Sequence, residues 1–399
     1  SRFTFVFRKR GETMSDGSNK DPQRALVFAT GDIIVDEPDP YSFFEPSREL
    51  LSSGDFVIGQ IEVPHTDRGE ANSTDIPAPP AAPENLNPLK DCGFNLCTTC
   101  GNHAHDNGVP GIVDTLDKLR SLGIAVTGTG RNIQEAKTPA IAERKGIRVG
   151  LIGYNAVGPR EGWATSHKAG VSYVQILTHH EPSPRATPGL PARVYTFPEP
   201  DSVEEMQEEI RSARKECDVL FVALHKGMVH THAELQMYEK PLAHAAIDAG
   251  ADAVIGHHAH ILRGIEVYRG KPIYHNLGNF VCVTHALTPT GDNNSPERLR
   301  WIAQRKKLFG FTPDPDMPFY AFNPESRKTM LARMEITKEG VSEFGFVPCY
   351  INKKGAPEVL TTYEEAKEVI EYVRQISEEE KLHIRLVWRD GWVQVLEEE

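Results

Sequence analysis

The sequence predicts an α/β fold with mixed sheets, and two features of the chain support this. Between residues 24 and 151, apolar runs bounded by turn residues alternate with helical segments, which is the pattern of βαβ units. Further along, the runs 263–268 and 272–276 are separated only by Arg269, Gly270 and Lys271, which predicts a hairpin. Parallel pairing in the first half and antiparallel pairing in the second half would make the sheets mixed.

The individual elements follow from local patterns. In the first half, apolar runs predict buried strands, and helices are expected between them at 41–53, 83–92 and 109–122. In the second half, helices are expected at 202–215, 233–250 and 362–376, with strands at 329–350, 383–388 and 392–396. Asp201 is the expected cap of the 202–215 helix, because a carboxylate accepts hydrogen bonds from free N–H groups of the first turn. Pro241 lacks an N–H group and is expected to start the 233–250 helix anew.

The 399 residues are expected to form one domain over residues 24–399. We favour a single α/β domain with insertions near 158–198 and 284–327 over a domain with a small C-terminal lobe, although the chain exceeds the usual limit of one core. The 284–327 segment is polar and poorly periodic, so a lid or a substrate-side wall is expected there. Residues 1–23 are expected to be a tag and a disordered tail, with Met14 as the natural start.

Composition limits the classes of partner. The formal net charge of −12 argues against nucleic acid, whose phosphates need a concentrated positive surface. No apolar run approaches the roughly 20 residues of a membrane helix, and the basic cluster at 8–10 follows the first apolar residues, unlike a secretion signal. The six cysteines are expected to be reduced thiols, most of them buried, including the pair Cys97 and Cys100. A cytoplasmic protein without a membrane partner is therefore expected.

Metal-ligand residues lie at the exits of five strand-like runs. In chain order they are Asp32, Glu62, Asn102 with His103, His225, and the pair His258 and His260. Open α/β sheets bind ligands outside the carboxyl ends of their strands, so five such exits can converge on one point. Each signal alone has an ordinary explanation, since a Gly-Asp pair usually forms a turn and a buried histidine usually belongs to the core. Their combination in one chain favours a shared site.

The residue types at these exits indicate a hydrolytic metal centre. Carboxylates, an amide and imidazoles without thiolates suit Mn, Fe, Co or Zn rather than a structural zinc held by sulfur. Two such ions roughly 3.5–4 Å apart can activate water and polarise the oxygen of the bond that it attacks. A carboxylate is needed between the ions, and Glu62 is the candidate. His103 follows the amide ligand directly and supplies an acid or a base.

Several short motifs surround these residues, at 31–34, 59–64, 101–108, 224–227, 255–260 and 276–280. They resemble the motifs of the CapA family of poly-γ-glutamate capsule biosynthesis proteins, which belongs to the calcineurin-like metallophosphoesterase superfamily. The resemblance covers roughly residues 24–283 and is specific for the family but not for a substrate. It implies a four-layer αββα sandwich with the site at one edge of the paired sheets.

The resemblance also implies how two ions would be held. Asn102, His225 and His258 would bind one ion, Asp32 and His260 the other, and Glu62 would bridge them. His103 would lie beside the ions. It would donate a proton to the leaving-group oxygen or nitrogen, or stabilise the charge that develops during the reaction. Asp106, three residues further on, would orient that imidazole.

Two departures from the superfamily pattern affect the ion that Asp32 and His260 would hold. This ion is called the first ion below, and the ion of Asn102, His225 and His258 the second. The superfamily has Asp-x-His where this chain has Asp32 followed by Ile34 at the third position, and it has Asp where this chain has Glu62. The first position is therefore expected to be weaker or empty unless His105 or His257 contributes a ligand. Either one or two divalent ions are expected.

Together these observations predict a metal-dependent hydrolase in which metal-bound hydroxide attacks a phosphoester, or an amide or ester of a small carboxylated substrate. The substrate is expected to be a small or oligomeric anion, and Lys226, His105 and His257 are its expected binding residues. The alternative is a non-catalytic capsule biosynthesis component that binds poly-γ-glutamate without cleaving it. A homo-oligomer is left open.

Overall fold

The computed structural model describes residues 23–71, 80–182, 191–285 and 296–398. The expected tail therefore lies almost entirely outside the described residues. Parts of both expected insertions lie outside them as well.

The described residues form strands of widely different length. They are β1 (Ala25–Asp36), β2 (Phe56–Ile61), β3 (Leu96–Thr98), β4 (Ala125–Thr127), β5 (Thr129–Gly130), β6 (Ala140–Arg144), β7 (Ile147–Asn155), β8 (Gly170–Val171), β9 (Ile176–Glu181), β10 (Arg193–Pro198), β11 (Val219–His225), β12 (Ala253–His257), β13 (Ile265–Tyr268), β14 (Lys271–Tyr274), β15 (Asn279–Thr284), β16 (Lys328–Thr337), β17 (Gly340–Ile351), β18 (Pro357–Val359), β19 (Ile384–Arg389) and β20 (Trp392–Glu397).

The helices confirm most of the sequence predictions. They are α1 (Pro40–Ser52), α2 (Asn87–Asp91), α3 (Gly108–Ser121), α4 (Ile133–Ala136), α5 (Pro200–Ala213), α6 (Glu239–Asp248), α7 (Pro296–Phe309) and α8 (Tyr363–Glu379). α8 begins with a capping box, in which Thr362 and Glu365 each accept a hydrogen bond from the other's backbone N–H group. Such a cap stabilises a helix by about 1 kcal/mol.

Two local predictions were wrong, and one helix was not anticipated. The cap of α5 is Glu199 rather than Asp201, because the Glu199 carboxylate accepts hydrogen bonds from the N–H groups of Asp201 and Ser202. The helix predicted over 233–250 begins only at Glu239, so the six residues before it are not helical. The 284–327 segment contains α7, a helix that its weak periodicity did not indicate.

Two large sheets carry the fold. The first has the order β19-β20-β17-β16-β1-β2-β3-β4, and β15 pairs with the second half of β1 on the edge where β16 pairs with its first half. The second has the order β13-β14-β12-β11-β7-β6. β1, β2, β3, β4 and β15 are parallel, whereas β16 to β20 pair antiparallel, so the first sheet is mixed, as predicted. The hairpin of β13 and β14 is confirmed.

The two sheets pack face to face and are covered by helices on both outer sides. The inner core contains side chains from both sheets, such as Val27, Phe56 and Phe346 from the first and Leu151 and Phe221 from the second. Outside the first sheet, a second core includes side chains of α1, α2 and α3, and outside the second sheet a third core includes those of α5 and α6. Full burial of each large apolar side chain stabilises the fold by about 1.5–3 kcal/mol. These layers confirm the αββα architecture.

Burial on both faces explains why the central strands are continuous apolar runs. β1 is buried along nearly all of its length because one face meets the inner core and the other meets α1 and its neighbours. In the second sheet, the strands buried in the same way are β7, β11 and β12. The carboxyl ends of these parallel strands carry the candidate site.

Candidate metal centre

Parallel strands from both sheets bring their carboxyl ends to the same edge of the sandwich. In the first sheet, Asp32 of β1 lies beside Gln60 of β2, two residues before Glu62. In the second sheet, His225 at the end of β11 lies beside His257 at the end of β12. The strand-exit rule therefore holds for Glu62 in the first sheet and for His225 in the second.

Asp32 is not at the end of its strand, because β1 continues to Asp36. The register of β1 shifts at this point against both neighbours, between Ala29 and Asp32 on the β2 side and between Asp32 and Ile33 on the β15 side. Such irregularities commonly re-aim a side chain beside an active site. The Asp32 carboxylate accepts a hydrogen bond from the His258 N–H group at 3.0 Å, so it faces the histidine loop of the other sheet.

The loop that carries His258 and His260 has a strained backbone. Their φ angles are 93° and 54°, a region that residues other than glycine rarely adopt. The loop is held by the contact of the His258 N–H group with Asp32 and by the His230 N–H group, which donates to the Ala259 carbonyl at 2.8 Å. Strain of this kind persists where the surroundings enforce it, and it concentrates at functional sites.

One group of donor atoms contains Glu62, His225 and His258. A carboxylate oxygen and one ring nitrogen from each histidine all lie within 4.8 Å of one another. Asn102 belongs to this group, because its Oδ1 lies 2.9 Å from His225 Nε2. Gly158 packs directly on Asn102, since a Cβ atom at Gly158 would lie 2.4 Å from the Asn102 Cβ atom. The 158–198 segment therefore begins against a candidate ligand.

The other group is centred on Glu62 and His260, and Asp32 lies next to the His260 ring. His260 Nε2 lies 3.1 Å from Glu62 Oε1, and His260 Nδ1 lies 3.8 Å from Asp32 Oδ2. His260 Nδ1 also lies 2.8 Å from Asn279 Oδ1, which fixes the orientation of the ring. Glu62 is thus the member that the two groups share.

Several side-chain atoms of these residues are buried without a hydrogen-bond partner among the described residues. They are Asp32 Oδ1, Glu62 Oε2, His225 Nδ1 and His258 Nδ1. Asp32 and Glu62 are 0% and 1% exposed, so neither carboxylate has water as a substitute partner. Buried polar atoms are normally satisfied, and buried carboxylates are costly unless they are paired or bind a metal. The donor set therefore fits divalent cations.

The protonation states of His225 and His258 agree with this fit. Burial lowers the pKa of His258 to about 3, and nearby His260 acts in the same direction. Burial and the neighbouring histidines also hold the pKa of His225 well below its usual value. Both rings are therefore neutral at neutral pH, which is the form that binds a metal. Burial and the charge of Glu62 raise the pKa of Asp32, as expected for two carboxylates that share one site.

His103 and Asp106 form a pair beside these groups. His103 Nδ1 lies 2.6 Å from Asp106 Oδ2, so Nδ1 is the nitrogen held by the carboxylate. Burial disfavours the protonated ring, but the hydrogen bond and charge of Asp106, aided by Glu62, outweigh it and raise the pKa of His103. An imidazole held in this way keeps Nε2 for another partner and can carry a proton to it.

Comparison with known proteins identifies the family to which the chain belongs. A family model described as bacterial capsule synthesis protein PGA_cap matches residues 26–284. The chain belongs to this family. It is 28% identical over 290 residues to the PGA biosynthesis protein CapA of Bacillus subtilis (strain 168), covering 70% of this chain and 68% of that protein.

Other curated proteins also match over shorter parts of their length. The capsule biosynthesis protein CapA of Bacillus anthracis is 24% identical over 285 residues, which cover 68% of this chain and 63% of that protein. A probable polyglutamine synthesis accessory protein of Mycobacterium tuberculosis (strain CDC 1551 / Oshkosh) is 28% identical over 203 residues, covering 50% of this chain and 48% of that protein. The chain thus spans less than two thirds of either relative.

Solved structures show more remote likenesses. A hypothetical protein from Thermus thermophilus aligns with a TM-score of 0.42 and 16% identity, covering 84% of this chain and 98% of that chain. A calcineurin-like phosphoesterase from Bacillus subtilis aligns with a TM-score of 0.36 and 12% identity, covering 90% of this chain and 99% of that chain. Among the described residues, no helix has both the length and the apolar character needed to cross a membrane.

Two of the three residues expected to bind substrate are buried in contacts with other parts of the protein. Lys226 is fully buried, and its Nζ lies 2.6 Å from Glu239 Oε2, so the ammonium is paired inside the protein and not directed at a dissolved substrate. His257 is also buried, and its Nε2 lies 3.1 Å from the Thr30 carbonyl, which ties the second sheet to the first. The third, His105, is half-buried and lies near Gly162 of the 158–198 segment.

The structure adds neighbours that the sequence did not single out. The His230 ring lies 5.8 Å from that of His260 and about as close to two rings of the 284–327 segment, 5.2 Å from Phe309 and 5.0 Å from Phe311. Phe322 lies 4.9 Å from His260. The segment therefore borders the second group of donors. No local motif signals this, because the contacts depend on how a long excursion of the chain returns to the site.

Proposed function

We propose that this chain is a metal-dependent hydrolase that uses two divalent ions. The observation that carries the proposal is the position of Glu62, whose carboxylate belongs both to the group with His225 and His258 and to a group with His260. A carboxylate shared by two sets of donors is the arrangement that bridges two ions. Mn, Fe, Co or Zn would suit these oxygen and nitrogen donors.

The residues would divide the work as follows. Asn102, His225 and His258 would hold one ion, Asp32 and His260 the other, and Glu62 both. When bound, the ions lower the pKa of a water molecule and polarise the bond under attack. His103 would donate a proton to the leaving group, because Asp106 holds its Nδ1 and supports its protonated form. Asn279 would keep His260 in its orientation.

The basic residues of α7, which lies beside the candidate site, support an anionic substrate. α7 carries the basic residues Arg300, Arg305, Lys306 and Lys307, and Arg305 lies over the Phe309 ring, 5.1 Å from its centre. Phe309 contacts His230, which in turn lies against His260. A phosphoester, or an amide or ester of a carboxylated molecule, would place its negative charge toward this helix, although the whole chain is acidic.

The test combines metal analysis with a substrate panel. Protein loaded with Mn, Fe, Co or Zn would be assayed on phosphomonoesters, phosphodiesters, γ-glutamyl amides and simple esters. His258→Ala should lose metal and activity together, whereas His103→Ala should retain metal and lose most turnover. His167→Ala is the matched control, because His167 is exposed and outside both donor groups. Wild-type protein that binds no metal, or that binds it without any turnover on this panel, contradicts the proposal.

A second function is favoured by the names of the relatives. The matched proteins are described by synthesis of a capsule or polymer and not by hydrolysis. We therefore also propose a non-catalytic role in which the chain binds a polyanion such as poly-γ-glutamate during capsule assembly. Binding of the polymer that survives metal removal and the His103→Ala change, in a protein without turnover, would favour this role.

A further inference from the structure

Cys282 lies beside the position where the first ion lacks a ligand. In the superfamily pattern, the third position of the first motif is a histidine, and here that position is Ile34. β15 runs parallel to β1, and its Cys282 pairs with Ile34 in the register. A side chain from the neighbouring strand is therefore at the level of the missing imidazole.

The thiol is directed into the donor group and not only into the apolar core. Cys282 Sγ, a Glu62 carboxylate oxygen and a His260 ring nitrogen all lie within 4.8 Å of one another. Sγ also lies 3.0 Å from the backbone carbonyl of Asp32. Among the described residues, Cys282 is the only cysteine that belongs to such a group, although Cys97, Cys100 and Cys349 are equally buried. Burial alone therefore does not account for its position.

A second observation points to a ligand at the same place. Glu62 Oε2 and Asp32 Oδ1 are buried atoms without a hydrogen-bond partner among the described residues. Asp32, Glu62 and His260 would give the first ion three protein donors, and because a zinc ion can expand to five donors there is room for a fourth protein donor beside a bound water. The Cys282 sulfur, which lies within 4.8 Å of donor atoms of Glu62 and His260, is a candidate for that fourth donor.

We propose that Cys282 is a thiolate ligand of the first ion, together with Asp32, Glu62 and His260. On metal binding, the thiol releases its proton to solvent and the sulfur lone pair forms the bond to the ion, so no oxidant or reductant is involved. This inference rests on the proposed metal centre and adds to it the identity of one donor. It makes the two positions chemically different, since only the first contains sulfur.

The chemical consequence is metal selectivity. Thiolates favour Zn and other softer ions, whereas sites of carboxylates, amides and imidazoles accept Mn more readily. The first position should therefore prefer Zn or Co over Mn. The second position, with Glu62, Asn102, His225 and His258, should discriminate less.

The experiment is cobalt substitution of the full chain, read by near-ultraviolet absorption and by metal content. Wild-type protein should bind two Co(II) ions and show a sulfur-to-cobalt charge-transfer band. Cys282→Ser should lose the band and bind the first ion at least tenfold more weakly, as expected for loss of one ligand. Cys349→Ser is the matched control, because Cys349 is buried but belongs to no donor group. This variant should keep the charge-transfer band and bind both ions as wild type does.

X-ray absorption of the zinc-loaded wild-type protein gives a readout that needs no variant. It should contain a sulfur scatterer at about 2.3 Å, at an average of half a sulfur per zinc when two ions are bound. Two bound ions without a sulfur scatterer, or a charge-transfer band that persists in Cys282→Ser, would overturn the thiolate assignment and leave the metal centre standing. If wild type and Cys349→Ser bind no metal at all, the proposed function fails and this inference fails with it.

Discussion

Replacement of Glu62 by glutamine should separate metal binding from folding. Glu62 is almost completely buried, and in the metal-free protein its charge is balanced by His260 and opposed by Asp32. Glutamine keeps the volume, removes one buried charge and offers both ions a much weaker donor. The ion pair lost with His260 and the repulsion lost with Asp32 oppose each other, so the metal-free variant should remain folded.

The size of the metal effect can be estimated. An ion present at one hundred times its Kd stabilises the folded state by about 2.7 kcal/mol. An unfolding entropy of about 2.1 cal/mol/K per residue over 399 residues gives roughly 0.8 kcal/mol per degree, so each ion should raise Tm by about 3 °C. Wild-type protein should therefore gain about 6 °C when two ions bind at that excess.

The assay is differential scanning calorimetry of chelator-treated protein titrated with Mn, Fe, Co or Zn. Glu62→Gln should lose most of the metal-induced rise in Tm. Glu380→Gln makes the same chemical change at another buried carboxylate, which accepts a hydrogen bond from the Gly264 N–H group at 2.7 Å and lies outside both donor groups. This control should keep the full rise. A full rise in Glu62→Gln, or none in wild type with any of the four metals, would refute the reasoning.

Three further predictions concern Asp106, Glu380 and Lys226. Asp106→Asn removes the carboxylate that holds His103 Nδ1, so turnover should fall roughly 10–100-fold with metal content unchanged, as steady-state kinetics and metal analysis would show. Burial raises the pKa of Glu380 to about 7, above its unfolded value of 4.5, so wild-type stability should decrease as pH rises through this interval. Glu380→Gln should lack this decrease, which amounts to about 3 kcal/mol, and an equal dependence of urea-unfolding stability on pH in both proteins would count against the buried acid. Lys226→Met leaves Glu239 buried without its partner and should cost about 3–5 kcal/mol of stability, while the KM of the folded enzyme stays unchanged. A raised KM with unchanged unfolding would instead restore the substrate role first expected for this lysine.

The fold was predictable because the sequence carries its determinants locally. Apolar runs such as those of β1 and β11 are buried on both faces, and turn residues mark where each run ends. The carboxyl ends of parallel strands lie at one edge, so Asp32, Glu62 and His225 could be placed near each other without coordinates. The resemblance supplied the layers, and the two packed sheets confirm them.

Side-chain direction and cross-strand register were less predictable. Lys226 follows His225 directly, yet successive side chains of extended chain point to opposite sides, and Lys226 is directed toward Glu239 of α6. Cys282 lies 250 residues from Asp32 in sequence, and only the register of β15 against β1 brings them together. His230 and Phe309 meet through a long segment whose weak periodicity concealed α7.

The most direct test is a crystal structure of the metal-loaded protein with anomalous diffraction data collected at the edge of the bound metal. The account predicts two anomalous peaks, roughly 3.5–4 Å apart, on either side of the Glu62 carboxylate. One peak should contact Asn102, His225 and His258, and the other Asp32 and His260. Absence of any peak within bonding distance of Glu62 in crystals grown with excess Zn, Co or Mn would contradict the central claim.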